Sequence, residues 1–172
     1  MSQEYWIVYD VLSGADLWRG SGSLGSAAYQ QLPNGAALIT VPQAVIAQAD
    51  VNLDLLRDYL ALRIDGEAEA IRQRFLTPGA GQAMTYQRKE AEARVWSLDN
   101  ASATPFLSAE ASARGMTIAD LAAEIIQLAD AWVAIGAAIE GLRMGAKAAV
   151  GRAANLGEIV AASKVDWSVL NG

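Results

Sequence analysis

The first informative pattern is an alternation. Tyr5, Ile7, Tyr9 and Val11 alternate with Trp6, Val8, Asp10 and Leu12, and the run is rich in aromatic and β-branched residues. That period of two predicts a strand. Ser13-Gly14-Ala15-Asp16 supplies a turn and Leu17-Trp18-Arg19 a return strand, so the chain opens with a hairpin. Gly20 to Gly25 reads as a glycine/serine loop and Leu32-Pro33-Asn34-Gly35 as a second turn. Ala37 to Val41 reads as a third strand, ended by Pro42.

The period then changes. Leu53, Leu56, Leu60, Ile64, Ala68, Ile71 and Phe75 step by threes and fours, which predicts one face of a helix capped by Asn52. Thr77-Pro78-Gly79 stops it, and a second helix from near Gly81 to Trp96 completes a helical hairpin. Ser108 to Arg114 predicts a short helix closed by Gly115. Thr117 caps the next helix, with Asp120 at the third position. Beyond Asn155 a short helix is expected over 158–163. Val165, Trp167 and Val169 alternate, which predicts a strand or an extended docked tail.

The helix after Thr117 carries the strongest signal. Ile118, Leu121, Ile125, Leu128, Trp132, Ile135, Ile139 and Leu142 are spaced 3-4-3-4-3-4-3, an unbroken heptad seam. Its flanks are small: Ala122, Ala129, Ala131, Gly136 and Ala138. Small flanks widen the stripe and point to contact with more than one neighbouring helix. Packing inside a bundle is preferred over a homo-oligomeric seam, because soluble helical domains bury such faces internally. The fold class expected is α+β, mainly α. A small β-rich docking unit over 1–50 is followed by an antiparallel helical bundle over 51–172.

Composition narrows the chemistry. Of 172 residues 53% are hydrophobic and 19% charged, and the net charge is −6. Nucleic acid is not an expected partner, since phosphate binding needs clustered Lys and Arg. With no cysteine and no histidine, the chain can build no thiolate, disulfide, zinc–sulfur or histidine-based triad chemistry of its own. Neither a cofactor nor a metal site is expected. The pairs Glu67/Glu69, Glu90/Glu92 and Asp120/Glu124 read as helix-surface groups, with no sign of the burial an acid–base pair requires. Arg88-Lys89 reads as a solvated face, and Gly79-Ala80-Gly81 as helix punctuation. Met1-Ser2-Gln3-Glu4 is not basic, so no secretory leader is expected. The run Ala131 to Ile139, bracketed by Asp130 and Glu140, falls short of the ~20 residues a bilayer span needs. Synthesis in a cytoplasm without membrane insertion is expected.

Candidate contact residues are therefore Tyr5, Trp6, Tyr9 and Trp18 on the strands, and Ile125, Leu128, Trp132, Ile135 and Ile139 on the seam. The four aromatics exceed what two strands can bury, so some are expected to pack on helices and others to offer a protein or glycan surface.

Two stretches resemble bacteriophage proteins. Tyr5-Trp6-Ile7-Val8-Tyr9-Asp10, the turn at Ser13-Gly14, Arg19-Gly20-Ser21-Gly22-Ser23 and Leu32-Pro33-Asn34-Gly35 resemble the opening of small tail-fibre-associated proteins of phages and prophages. The segment from Arg74 through Thr77-Pro78-Gly79-Ala80-Gly81-Gln82-Ala83-Met84 to Tyr86 resembles a signature of a helical domain of unknown function in phage tail-related proteins, notably of alphaproteobacterial phages. The resemblance covers about half the chain and carries no catalytic residues. It implies a non-enzymatic structural protein of the virion tail, made in the host cytoplasm, whose partners are other tail or fibre proteins and which could self-associate. The alternative it implies is a tail-fibre assembly chaperone. A carboxylate-dependent glycan hydrolase ranks a distant third.

Overall fold

The computed structural model describes residues 3–75 and 79–170, the side chain of Ala80 excepted. The chain is α+β and mainly α. Its elements are β1 (Gln3–Asp10), β2 (Asp16–Ser23), a 3-10 turn (Ser26–Tyr29), β3 (Ala36–Val41), α1 (Gln43–Ile46), α2 (Leu53–Arg72), α3 (Ala80–Leu98), α4 (Pro105–Arg114), α5 (Ile118–Arg152), α6 (Leu156–Ala162) and a closing 3-10 turn (Trp167–Leu170). Composition shifts at residue 50. The contacts instead divide the chain into Met1–Glu69 with Glu140–Gly172, and Ala70–Ile139. The long α5 passes from one unit into the other.

In the first unit β1 is the central strand of an antiparallel sheet ordered β2-β1-β3. β1 is buried on both faces, and its alternation sorts the side chains between them. Ile7 and Tyr9 join Ile39 and Val41 of β3 in the main core, against Val45, Leu56, Leu60, Ile64, Val150, Leu156, Ile159 and Val160. Trp6 and Val8 face the other way, onto Ala27 with Ala36 and Leu38 beside them. The helical face expected on α2 is present: Leu56, Leu60, Ile64 and Ala68 are fully buried. Phe75, expected on the same face, lies beyond the end of α2 and is exposed. Asn52 Oδ1 accepts from Leu55 N at 3.0 Å, the expected cap.

Three expectations change here. Gly20 to Ser23 is the second half of β2, not a loop. The Trp6 ring lies over Gly20, where a Cβ would sit 2.5 Å from it. The glycine that suggested a loop is the residue that lets the indole close on the sheet. Trp167 to Leu170 is a 3-10 turn, not a strand. It docks through Trp167 Nε1, which donates to Glu67 Oε2 at 3.0 Å. The last helix starts at Leu156 rather than 158. Asn155 Oδ1 accepts from Glu158 N at 3.0 Å while the Glu158 carboxylate accepts from Ala154 N and Asn155 Nδ2, a reciprocal cap. The helix-stopping Thr77-Pro78 pair lies outside the described residues.

Asp65 ties α2 to α5. Its two oxygens accept from Arg143 Nη1 at 2.5 Å and Lys147 Nζ at 2.6 Å. Lys147 and then Arg143 hold the Asp65 carboxyl below its usual range by hydrogen bonding. A carboxyl whose folded pKa is depressed stabilises the fold above its unfolded value, and that contribution is lost as pH falls through the folded value. Glu4, lowered chiefly by the Ala27 amide, Asp10, lowered chiefly by the Ser13 amide, and Asp166, lowered by Ser168, act in the same sense. The first unit should lose stability below about pH 4, where ordinary carboxyls take up protons. Asp65→Asn should flatten that acid limb in denaturant titrations followed from neutral pH to pH 3. An unchanged limb would mean the ion pair contributes nothing to folding.

The second unit packs α3, α4 and the first turns of α5. Its core is small: Ala93, Leu107, Ala111, Leu121 and Ala122 are buried, with Trp96, Met116, Ile118, Ile125 and Ile126 around them. Ion pairs rim it. Lys89 meets Glu110 at 2.7 Å, Arg114 meets Glu124 at 2.9 Å, and Arg94 meets Asp130 at 2.6 Å. Lys89 is therefore not solvated, as its sequence context suggested. Only 13% of its side chain is exposed, and it also stacks over Tyr86. Thr117 Oγ1 accepts from Asp120 N at 3.1 Å, the expected cap of α5.

Candidate interaction surface

The four N-terminal aromatics do not form one patch. Trp6 and Tyr9 are buried on opposite faces of β1, Tyr5 is half-buried, and Trp18 on the edge strand β2 is 37% exposed. Packing consumes Trp6 and Tyr9. A shallow depression of about 270 Å³ is lined by Tyr5, Arg19, Gln43 and Ile46. The Arg19 guanidinium pairs with Asp16 and donates to Gln48 O at 2.9 Å.

The seam residues separate in a different way. Ile118, Leu121 and Ile125 belong to the core of the second unit. Ile139 is fully buried, Trp132, Ile135 and Leu142 are half-buried, and Leu128 is 64% exposed. The heptad pattern is real as a helix face, yet it is not one continuous internal seam. Trp132 lies along its own helix, 3.7 Å from where a Cβ on Gly136 would stand.

The more telling face of α5 is the one turned to solvent. From 131 to 151 every exposed position is Ala, Val, Gly or Met: Ala131, Val133, Ala134, Ala137, Ala138, Gly141, Met144, Gly145, Ala148 and Gly151. Val133 is 60% exposed and Met144 49%. The charges of this segment, Arg143 and Lys147, turn instead to Asp65, with Glu140 on Arg143. An exposed helix face ordinarily carries the charge, and here, from 131 to 151, it carries none. By length and composition α5 could cross a membrane: its most apolar stretch has a mean hydropathy of 1.5, and 11% of that stretch is buried. The sequence signal for this face was present in the Ala/Gly run, but it was masked by the larger residues of the heptad.

The acids are placed differently from expectation at one position. Glu92 is buried, 5% exposed, and Oε2 accepts from Phe106 N at 2.9 Å and Leu107 N at 3.2 Å. It caps α4 from α3, a structural use of a buried carboxylate. A groove of about 510 Å³ between α3 and α4 passes Phe106 and the Lys89–Glu110 pair, whose charges are already satisfied by each other. Among the described residues no three acidic side chains gather as a metal-ligand set. No protein-family model, no curated protein and no solved structure matches the chain.

Proposed function

We propose that this chain is a non-enzymatic structural protein that works through protein–protein contacts, in a phage or prophage tail. The observation that carries the first half is the charge-free outward face of α5, since a solvent-facing apolar strip on a folded protein marks a contact site. The tail context comes from the resemblance of residues 5–35 and 74–86 to tail and tail-fibre-associated proteins. Its partners would be other tail proteins and its location the virion.

Mass spectrometry of purified particles tests this reading. The polypeptide should be present at a fixed ratio to the tail proteins and should survive stringent washing. Particles that lack it would sink the reading. If in addition co-expression raised the yield of soluble trimeric fibre, the protein would be an assembly chaperone instead.

A further inference from the structure

We infer that the free edge of β2 accepts an extended segment of a partner protein, added antiparallel as a fourth strand, with one apolar side chain seated in the hollow beside Tyr5. The site lies wholly in the first unit and depends on neither the α5 face nor the tail context. In the sheet order β2-β1-β3 no strand among the described residues pairs with the far side of β2. Which of its groups point there follows from β1. Asp10 N donates to Ala15 O on the β2 side, and Val11 N to Gly35 O on the β3 side. Main-chain groups alternate along a strand, so Val8, Trp6 and Glu4 turn theirs to Trp18, Gly20 and Gly22. Arg19, Ser21 and Ser23 therefore aim their N–H and C=O groups outward, and no hydrogen bond among the described residues takes them up.

Edge strands are ordinarily blunted by lysine, proline, a bulge or a covering segment. The first half of β2 is blunted in this way: Leu17 is an extra residue opposite the step from Val8 to Tyr9. The second half, from Arg19 to Ser23, carries no such device. Its single charge, Arg19, is engaged by Asp16 and Gln48 O, and glycine and serine supply no bulk to shield the rest. The 3-10 turn that follows sits on the Trp6 face of the sheet, with Ala27 N donating to Glu4 Oε1.

The open half coincides with the hollow of about 270 Å³. Arg19 and Ser21 share a sheet face with Ile7 and Tyr5, their opposite numbers on β1, and Gln43 and Ile46 of α1 complete the hollow. An added antiparallel strand bonds to β2 through alternate residues, and those same residues turn their side chains to this face. The hollow selects a neutral, apolar side chain. Arg19 is the one charge that lines it and is already paired, and Tyr5 Oη donates to Gln3 Oε1 at 3.1 Å. A second copy of β2 does not supply that side chain, because its own outward-bonding residues are Arg19, Ser21 and Ser23.

Amide NMR of the full chain, titrated with the peptide Thr-Thr-Val-Thr-Thr, acetylated and amidated at its ends, tests this. In the free chain the Ser21 amide should exchange with solvent about 10-fold or more faster than that of Gly20, which β1 holds. The peptide should shift the Arg19, Ser21 and Ser23 amides and slow their exchange, with a dissociation constant of about 1 mM. Replacing its valine by aspartate, or methylating the valine amide, should weaken binding about 10-fold or more. Both changes leave the protein untouched, so neither depends on a variant that folds. Ser21→Pro removes an N–H that β1 does not use and should abolish the shifts while Gly20 stays protected. No shift at these three amides up to about 5 mM peptide would overturn the inference. So would equal binding of the aspartate or methylated peptide, or shifts confined to the groove between α3 and α4. Shifts at Arg19, Ser21 and Ser23 that follow the concentration of the chain alone would place a second copy there and overturn it too.

Discussion

Gly14→Ala should destabilise the first unit by about 3–6 kcal/mol, a large share of the stability of an ordinary domain. Gly14 adopts φ +71°, where a side chain costs about 1–2 kcal/mol. The position is also crowded. A Cβ there would stand 2.2 Å from Asn155 Oδ1 and 2.9 Å from Gly157 N. Gly157 leans back in turn, and its own Cβ would sit 3.0 Å from Gly14 Cα and 3.2 Å from Val11 O. The β1–β2 turn and the start of α6 thus touch backbone to backbone through two glycines. Overpacking such a contact costs about 1–3 kcal/mol. Displacing Asn155 would also undo the Asn155–Glu158 cap, worth about 1 kcal/mol. Gly35→Ala is the control. Its φ is +79°, but the nearest atom to a Cβ is Asp10 Oδ2 at 3.8 Å, so it should show the backbone cost alone. Denaturant melts followed by tryptophan fluorescence separate the two. Equal losses for Gly14→Ala and Gly35→Ala would refute the close-approach argument.

How much of this could be read in the chain beforehand depends on the distance over which each feature is decided. The alternation of β1, the buried face of α2, the Asn52 and Thr117 caps and the Gly115 stop are set by residues within a turn or two of one another. All were legible. Gly20 is not legible as a strand residue because its reason for being glycine is Trp6 on the neighbouring strand, whereas a Cβ on Gly22 would strike Ser26 Oγ. The heptad of α5 was read as one seam, but tertiary packing divides it. Its first turns join α3 and α4, while Ala146 and Val150, beyond its end, join the sheet unit. Local spacing reports that a face is apolar and is silent about which neighbour takes which part. The outward α5 face was visible as a run without charge, but alanine and glycine carry little hydrophobic signal beside Ile, Leu and Trp. The aromatic candidates are half resolved by the same logic: strand alternation sends Trp6 and Tyr9 to opposite faces, which rules out a common patch.

Glu92 was missed because the groups it serves lie 14 and 15 residues away, and its removal should be the most damaging single change in the second unit. Thr104, at the N-cap position of α4, makes no side-chain cap; its hydroxyl pairs with Ser108 Oγ at 3.2 Å instead. The Glu92 carboxylate takes over, accepting from the Phe106 and Leu107 amides, one of them at a fully buried residue. Glu92→Ala would leave those amides without an acceptor and remove a negative charge from the positive end of the α4 dipole. The expected cost is about 3 kcal/mol, from one charged hydrogen bond lost and one buried donor orphaned. Glu92→Gln keeps an oxygen in place and should cost about 1 kcal/mol. Arg88, whose Nε lies 3.3 Å from Glu92 Oε1, is 61% exposed on its side chain, so Arg88→Ala should stay within about 0.5 kcal/mol. With three alanines among its five buried core residues, this unit has little apolar burial to offset a loss of that size. Amide exchange at Phe106 and Leu107, with the melting temperature, should rank the variants Ala, Gln and Arg88→Ala in falling order of damage. If Gln and Ala were equally harmful, the charge rather than the acceptor would be what α4 requires.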